Sequence, residues 1–386
     1  MLALDHSDIK TNNKKRILKL LSKERELTKL DISRKLDISV PTVTTITNEL
    51  IEEGIALEAG MATSTGGRKP VIIKFLPDSR YSIGIDLGRD FIKMIVTNLD
   101  SKIIEDRRKE LTVINETEIL GSVKSLIDEF LNENEYIRSN LLGIGFSLPG
   151  TVNEKELKLE VATNFKLKNI SFKILEEYFN VPIYLENEAN AGALAESELG
   201  IAKDLNNLIY VSVTEGIGGG IIINNNMYKG RSMRAGEIGH MTINKNGRLC
   251  NCGKKGCWET YASNRAMINE YNKENNDKAS NIDQIIEKYK NGEEKAIDVI
   301  EQYIEDLAEG IQNLIFIFNP DYIVVGGDIS KYSNIFQDKI SERIFEKNEF
   351  YSKGDVNILF SLLGNDSNIL GASLIPILEN FRFEKI

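Results

Sequence analysis

One pattern occurs twice in this chain and limits its fold more than any other feature: a buried strand, a glycine-bearing turn and a returning strand. The first copy reads Tyr81-Ser82-Ile83-Gly84-Ile85-Asp86-Leu87-Gly88 and returns through 91–98. The second covers 208–213, turns through Gly216-Ile217-Gly218-Gly219-Gly220 and returns through 221–223. Further strands are expected at 141–148, closed by Pro149-Gly150, at 181–185, and at 322–325, which ends in Gly326-Gly327-Asp328. An alanine-rich helix to about Gly200 follows the strand at 181–185. Strands alternating with helices predict an α/β class. Two copies predict two related lobes with a cleft between them, the second beginning near residue 206. At 386 residues the chain exceeds one ordinary core, so more than one domain is expected.

The first 78 residues follow a different rule. Ile17, Leu18 and Leu21 place an apolar stripe on a first helix. A second helix is expected over 28–36, capped by Thr28, with Leu30, Ile32 and Leu36 facing a core. After the turn Asp37-Ile38-Ser39, a third helix opens at Val40-Pro41-Thr42-Val43, with proline in the first turn where it is tolerated. Val43, Ile46 and Leu50 give that helix one buried face, and Gly54 ends it. Thr42, Thr44, Thr45 and Asn48 lie off the face, and short hydroxyl and amide side chains suit base edges and phosphates in a major groove. Strands at 55–57 and 71–73 bracket a glycine-rich tip whose Arg68 and Lys69 would reach a minor groove or phosphates. Three helices and a basic hairpin resemble the winged helix-turn-helix of bacterial repressors. Residues 1–78 are therefore expected to bind operator DNA, and 79–386 to form the rest of the molecule.

Charge and cysteine usage fit this division. Residues 1–80 carry 14 Lys and Arg against 11 Asp and Glu, while the remainder carry 34 against 47. The overall charge of −10 thus hides a slightly basic N-terminus on an acidic body. With 41% hydrophobic residues and no apolar run near the ~20 residues of a membrane helix, a cytoplasmic protein without a membrane partner is expected. The three cysteines all fall between Cys250 and Cys257. Reduced thiols clustered this tightly point to a metal rather than to disulfides.

The run Gly236-Glu237-Ile238-Gly239-His240, the pair Cys250-x-Cys252, and Cys257-Trp258-Glu259-Thr260-Tyr261-Ala262-Ser263 resemble the signature of the ROK family. That family comprises bacterial sugar kinases and sugar-responsive repressors, the repressors also carrying an N-terminal winged helix. The resemblance implies a bilobal actin-like ATPase (ribonuclease H-like) body behind the winged helix-turn-helix, with a zinc loop over 237–259. His240, Cys250, Cys252 and Cys257 would then supply a full tetrahedral set for a structural Zn²⁺, leaving no open position for catalysis. The family's sugar contacts map onto Asn164, Asn187, Glu188, Glu237, His240 and Glu259, with Gly150 allowing a close backbone approach. Carboxylates and amides suit hydroxyl groups, which both donate and accept.

The phosphate loops depart from the family's kinases. Where those have Asp-x-Gly-Gly-Thr, this chain has Asp86-Leu87-Gly88-Arg89-Asp90, and where they have Gly-Thr-Gly it has Thr214-Glu215-Gly216. The catalytic aspartate of their Glu-Asn-Asp-Ala-Asn motif is Glu188 here. Acid placed where a triphosphate should lie is repulsive in a poorly screened cleft. The expectation is a non-enzymatic sugar sensor, a repressor of a carbohydrate-utilisation operon that works as a homodimer or tetramer. Glu186-Asn187-Glu188-Ala189-Asn190 and Gly256-Cys257-Trp258-Glu259-Thr260 are closest to the family's xylose-repressor branch, so a monosaccharide such as xylose is the expected effector. An active ATP-dependent hexose or N-acetylhexosamine kinase with an accessory DNA-binding domain is the alternative.

Overall fold

The structure, a computed structural model, describes residues 6–61, 70–203, 205–273, 277–346 and 349–381. The N-terminal unit contains α1 (His6–Glu24), β1 (Glu26–Thr28), α2 (Lys29–Leu36), α3 (Val40–Glu52), β2 (Ala56–Met61) and β3 (Val71–Phe75). Thr28 and Ser39 cap α2 and α3, their side chains accepting from the amides of Asp31 and Thr42. Ile17, Leu21, Ile32, Val43, Ile46 and Leu50 are fully buried and close the three helices on one core. Two details differ from the sequence reading. Leu30 is 44% exposed, because α2 turns Ile32, fully buried, and Leu36, partly buried, to the core. The hairpin gains a third strand, β1, in the order β1-β3-β2, too short to show a periodicity of its own. The expected wing tip with Arg68 and Lys69 lies outside the described residues.

The body begins with β4 (Tyr81–Leu87), β5 (Phe91–Asn98), β6 (Ile103–Glu110), α4 (Glu116–Glu133), α5 (Glu135–Ser139) and β7 (Leu141–Leu148). A small sheet of β8 (Thr151–Asn153), β9 (Lys158–Ala162) and β10 (Leu167–Ser171) follows, then α6 (Lys173–Phe179), β11 (Ile183–Asn187) and α7 (Glu188–Glu198). The second lobe has β12 (Leu208–Val213), β13 (Ile217–Ile223), β14 (Asn226–Met227), α8 (Glu259–Ala262), α9 (Asn264–Asn272), α10 (Ile282–Lys290) and α11 (Glu294–Phe318). It ends with β15 (Tyr322–Gly327), α12 (Ser333–Phe345), β16 (Asn357–Phe360) and α13 (Ser367–Phe381). The two large sheets run β11-β7-β4-β5-β6 and β14-β13-β12-β15-β16. Each has an antiparallel three-strand meander followed by two parallel strands on the far side of its first strand. The duplication expected from sequence is therefore a duplication of topology.

The glycine run 216–220 is not a turn. Gly218, Gly219 and Gly220 lie in β13, opposite Ser212, Val211 and Tyr210, and the turn is confined to 214–216. These strand glycines let α7 pack on the sheet. A β-carbon on Gly220 would sit 2.4 Å from the β-carbon of Ala193, and one on Gly218 3.0 Å from that of Ala189. The first lobe repeats the device with α13, since a β-carbon on Gly145 would stand 2.0 Å from the Ala372 carbonyl oxygen. Thus α7 and α13, also packed on each other, form the joint between the lobes.

The N-terminal unit is fastened to the first lobe. Leu99 and Phe381, the latter the last residue of α13, pack against its hydrophobic core. The Arg80 guanidinium donates to the Glu53 carbonyl at 2.6 Å, and Arg25 pairs with Asp100. The same α13 that crosses the joint therefore ends on the winged helix.

Gly145→Ala should destabilise the chain by about 1–3 kcal/mol through overpacking against α13. Urea unfolding checks this, with Gly121→Ala, where no heavy atom lies within 4 Å of the added carbon, as the control.

Candidate functional site

Between the lobes lies a cavity of about 930 Å³, and all seven expected sugar contacts border it. Asn187 stands at the junction of β11 and α7 as the helix cap. Its Oδ1 accepts from the amides of Ala189 and Asn190 at 2.9 and 3.3 Å, and its Nδ2 donates to the Gly150 carbonyl at 2.8 Å. One amide hydrogen is left for a ligand. Gly150 borders the cavity. Its φ is +79°, and a β-carbon there would fall 2.2 Å from the Val161 carbonyl oxygen, so its backbone also lies close to β9. Asn164 Oδ1 accepts from Asn251 Nδ2 at 3.0 Å and Arg265 Nη1 at 3.3 Å, tying the small sheet to the second lobe.

The acids in the cleft perturb one another. Desolvation, reinforced by the charges of Asp86 and Glu237, pushes Glu188 up to about 7. Asp86 rises to about 6, mainly by desolvation, although Ser147 Oγ donates to it at 2.6 Å and Lys93 lies near. Sequence reasoning missed Ser147, Lys93 and Asn190. Lys93 pairs with Asp366 at 2.7 Å and Asp106 at 3.1 Å. Asn190 is buried on the cavity wall, donates from Nδ2 to Glu186 Oε1 at 3.0 Å, and has an Oδ1 with no partner. Its place in Glu186-Asn187-Glu188-Ala189-Asn190, one helical turn after Asn187, was the available signal.

The side chains of His240, Cys250, Cys252 and Cys257 converge, their ligand atoms all within 4.8 Å of one another. The Cys252 and Cys257 sulfurs are 3.6 Å apart, as are Cys250 Sγ and His240 Nδ1. Tetrahedral zinc thiolates would hold sulfurs at about 3.8 Å, whereas a disulfide needs about 2 Å. One imidazole and three thiols at these separations can hold a metal ion. Burial and the carboxylate of Glu259, which accepts from Cys250 Sγ at 2.9 Å, raise the Cys250 thiol, a proton-holding state that a bound cation reverses. His240 Nδ1 faces the sulfur side, and Nε2 lies 3.7 Å from Glu237 Oε2 on the cavity side. The cluster that could hold a metal and the cavity wall thus share one imidazole and abut through Glu259.

The phosphate loops are occupied by their own side chains. Arg89 Nη1 pairs with Glu215 Oε2 at 3.1 Å, bridging the two lobes at the cavity. Within the loops, the Gly88 amide donates to the Phe91 carbonyl and the Thr214 amide to the Gly216 carbonyl, both at 3.0 Å. Eight carboxylates border the cavity against four Lys and Arg side chains.

On α3, Thr45 and Asn48 are exposed and Thr42 and Thr44 half-buried. Thr44 and Thr45 donate back to the carbonyls of Val40 and Pro41, leaving their oxygens as acceptors. Asn48 Oδ1 accepts from Lys29 Nζ at 3.0 Å.

A winged helix ahead of a duplicated two-lobed body with a hydroxyl-suited cavity defines a winged-helix protein built on the sugar-kinase fold. The chain belongs to the ROK family, whose profile matches residues 82–377, and a winged helix-turn-helix DNA-binding profile matches residues 10–56. It is 34% identical over 383 residues to the xylose repressor of Bacillus spizizenii, covering 98% of this chain and 97% of that one. The xylose repressor of Bacillus subtilis is 33% identical over 97% of both chains. The dual regulator NagC of Escherichia coli is 28% identical, over 85% of this chain and 83% of that one. Among solved structures, a ROK family transcriptional regulator, a homologue of the Escherichia coli MLC protein, superposes with a TM-score of 0.83 at 25% identity, over 97% of this chain and 98% of that one. The ROK hexokinase of Thermus thermophilus superposes with a TM-score of 0.65 at 25% identity, over 78% of this chain and 99% of that one.

Because the folded state holds Glu188 near 7 against an ordinary 4.5, the native chain binds more protons than the unfolded one between those values. Ionised Glu188 therefore costs stability progressively as pH rises through that window. Glu188→Gln should leave the melting temperature unchanged at pH 4 and raise it by about 2 °C or more at pH 8. Scanning calorimetry across pH 4–8 checks both ends; equal shifts throughout would contradict the assigned ionisation.

Proposed function

We propose that this chain is a sugar-responsive transcriptional repressor whose cavity binds a monosaccharide without phosphorylating it. The carrying observation is the contrast within one cavity. The end near Glu188, Glu237 and Glu259 offers hydroxyl-recognising groups, while the phosphate loops place Asp90 and Glu215 at the cavity and are bridged by Arg89 and Glu215. Residues 1–78 serve as the DNA-binding domain through Thr42, Thr44, Thr45 and Asn48, with Arg68 and Lys69 on the wing. Residues 79–386 bind the sugar through Asn164, Asn187, Glu188, Glu237, His240 and Glu259, beside Gly150. The near full-length likeness to two xylose repressors supports xylose as the effector.

His240, Cys250, Cys252 and Cys257 would hold a structural zinc ion. Bound there, zinc supplies a fixed positive centre and no open coordination position. The chain's own groups do the recognising: Glu259 and His240 border the cavity, and His240 presents Nε2 toward Glu237.

Contacts from both lobes favour a closed cleft, and α13 carries that preference outward. Just before its first turn, Asn365 reaches Asp328 of the second lobe at 2.6 Å and Asp366 holds Lys93 of the first; its last residue packs on the winged helix. Two such chains related by a two-fold axis would read a palindromic operator. No helix among the described residues is long and apolar enough to cross a membrane.

One observation favours the kinase alternative: Glu188, near 7, has the ionisation a general base needs. A coupled assay with ATP and a panel of aldoses and amino sugars decides. Turnover that Glu188→Gln abolishes would establish the kinase, and none is expected.

A thermal-shift screen should find a monosaccharide that stabilises the chain and, in gel shifts, weakens its grip on its own upstream DNA. If no sugar changes DNA binding, the sensor reading fails. Phe381→Ala should keep sugar and DNA affinity each within about threefold while flattening the sugar effect on DNA, because it cuts only the contact between them. Cys252→Ser should lose about one zinc per chain by elemental analysis and weaken sugar binding roughly tenfold or more, with DNA binding retained.

A further inference from the structure

Glu186 is an acid that neither the sugar set nor the metal cluster uses. It sits on β11 immediately before Asn187 and is 6% exposed. A buried carboxylate is tolerated only when paired and hydrogen-bonded. One oxygen, Oε1, accepts from the Asn187 amide and from Asn190 Nδ2, each at 3.0 Å. The other, Oε2, accepts from Lys229 Nζ at 2.5 Å. Lys229 belongs to the opposite lobe, just beyond β14, and also donates to Glu154 Oε1 at 2.7 Å in the loop after β8.

Lys229 opens a loop that its own carbonyl closes by accepting from the Ala235 amide at 3.0 Å. Met233, Arg234 and Ala235 of this loop border the cavity, and Arg234 pairs with Glu160 of β9 at 3.2 Å. A wall of the pocket contributed by the second lobe is thus stitched to the first at both ends. Of the two stitches, Arg234 is 59% exposed in its side chain and its pair is worth little, whereas the Lys229–Glu186 pair is shielded, at 23% and 8%.

Glu186 also decides which way the Asn190 amide points. Because Nδ2 is committed to Glu186, the buried Oδ1 is left without a partner, on a residue that borders the cavity. An unpaired amide oxygen there is costly until a hydroxyl donates to it.

Resting on the sugar-binding reading above, we propose that Lys229 is the inter-lobe positioning residue of the pocket and Asn190 an additional sugar contact. Lys229 neutralises Glu186 only when the lobes are together. Glu186 then holds Asn190 with its amide oxygen turned to accept from a sugar hydroxyl. Parting the lobes strands Glu186 as a buried charge, so the pocket and its closure form together.

The test uses the full zinc-loaded chain, with calorimetric titration of D-xylose, D-glucose and N-acetyl-D-glucosamine and hydrogen exchange read separately over 183–192. Lys229→Met should weaken binding of whichever sugar the wild type takes by roughly tenfold to hundredfold, and speed exchange over 183–192. Adding Glu186→Gln, which removes the charge that needs Lys229 and keeps an acceptor for Asn190, should recover most of both losses. Asn190→Ala should weaken sugar binding roughly tenfold with exchange over 229–236 unchanged. A Lys229→Met chain that binds and exchanges like the wild type, or a double variant no better than the single, overturns the positioning role. Wild-type affinity in Asn190→Ala overturns the added contact. If the wild type binds none of the three sugars, the sensor reading and the added contact fall together. The exchange data then still decide the Lys229 strut: faster exchange restored by Glu186→Gln upholds it, and unchanged exchange removes it.

Discussion

The carbonyl of Ala372 occupies the space a β-carbon on Gly145 would need, and Ala193 does the same to Gly220. These two backbone-close contacts fix where α13 and α7 cross their sheets, and the cleft exists because they do. Each helix starts at the cavity, α7 with Glu188 and α13 just after Asp366. Any relative movement of the lobes must therefore be a roll of two tightly seated helices rather than a general loosening. Packed interfaces of this kind favour discrete arrangements over continuous deformation. Since α13 continues to Phe381, on the winged-helix core, the joint and the N-terminal unit are mechanically one assembly.

The same cavity carries two chemistries that compete in a kinase and are separated here. Hydroxyl recognition needs fixed donors and acceptors, and the metal-ligand loop, the Asn187 cap and the Glu186 bonds hold such groups still. Phosphate recognition needs free amides and positive potential. Glu215 cancels the added Arg89, and Asp86, Asp90, Asp328 and Asp366 leave the region acidic. Exposed as it is, the Arg89–Glu215 pair contributes little stability. Its weight lies in what it displaces.

Much of this was legible in the sequence because it depended on local chemistry. The cap Thr28, the stripe Val43, Ile46 and Leu50, and the close spacing of Cys250, Cys252 and Cys257 state their roles within a few residues. The duplicated strand–glycine pattern likewise announced two sheets of one topology. What sequence misplaced was long-range. Gly218 to Gly220 read as a turn because nothing nearby says that α7 will lie across them. Leu30 read as core, yet in the short α2 it is Ile32 that is fully buried and Leu36 that packs partly on the core. Lys229 was invisible for the same reason: its partners Glu154 and Glu186 stand 75 and 43 residues away.

A receptor that closes on a small sugar alone faces an energetic problem that a kinase does not. Nucleotide phosphates normally add ligand contacts to both lobes, and without them the protein must supply the balance. It can do so only within limits. A cleft held shut too firmly by its own ion pairs would no longer respond, because a ligand shifts an equilibrium only by its differential affinity for the two states. The inter-lobe contacts fit that constraint. Arg89–Glu215 and Arg234–Glu160 are exposed enough to be nearly neutral. Lys229–Glu186 is buried, but its attraction is spent largely on offsetting the desolvation of Glu186. Such a pair penalises the parted state by leaving a bare charge, and adds little net stability to the closed one. The unpaired Oδ1 of Asn190 then leaves the closed, empty pocket short of one hydrogen bond. Under the sensor proposed above, closure is made nearly balanced by the chain and completed by a hydroxyl, which is the condition under which a monosaccharide can act as a switch.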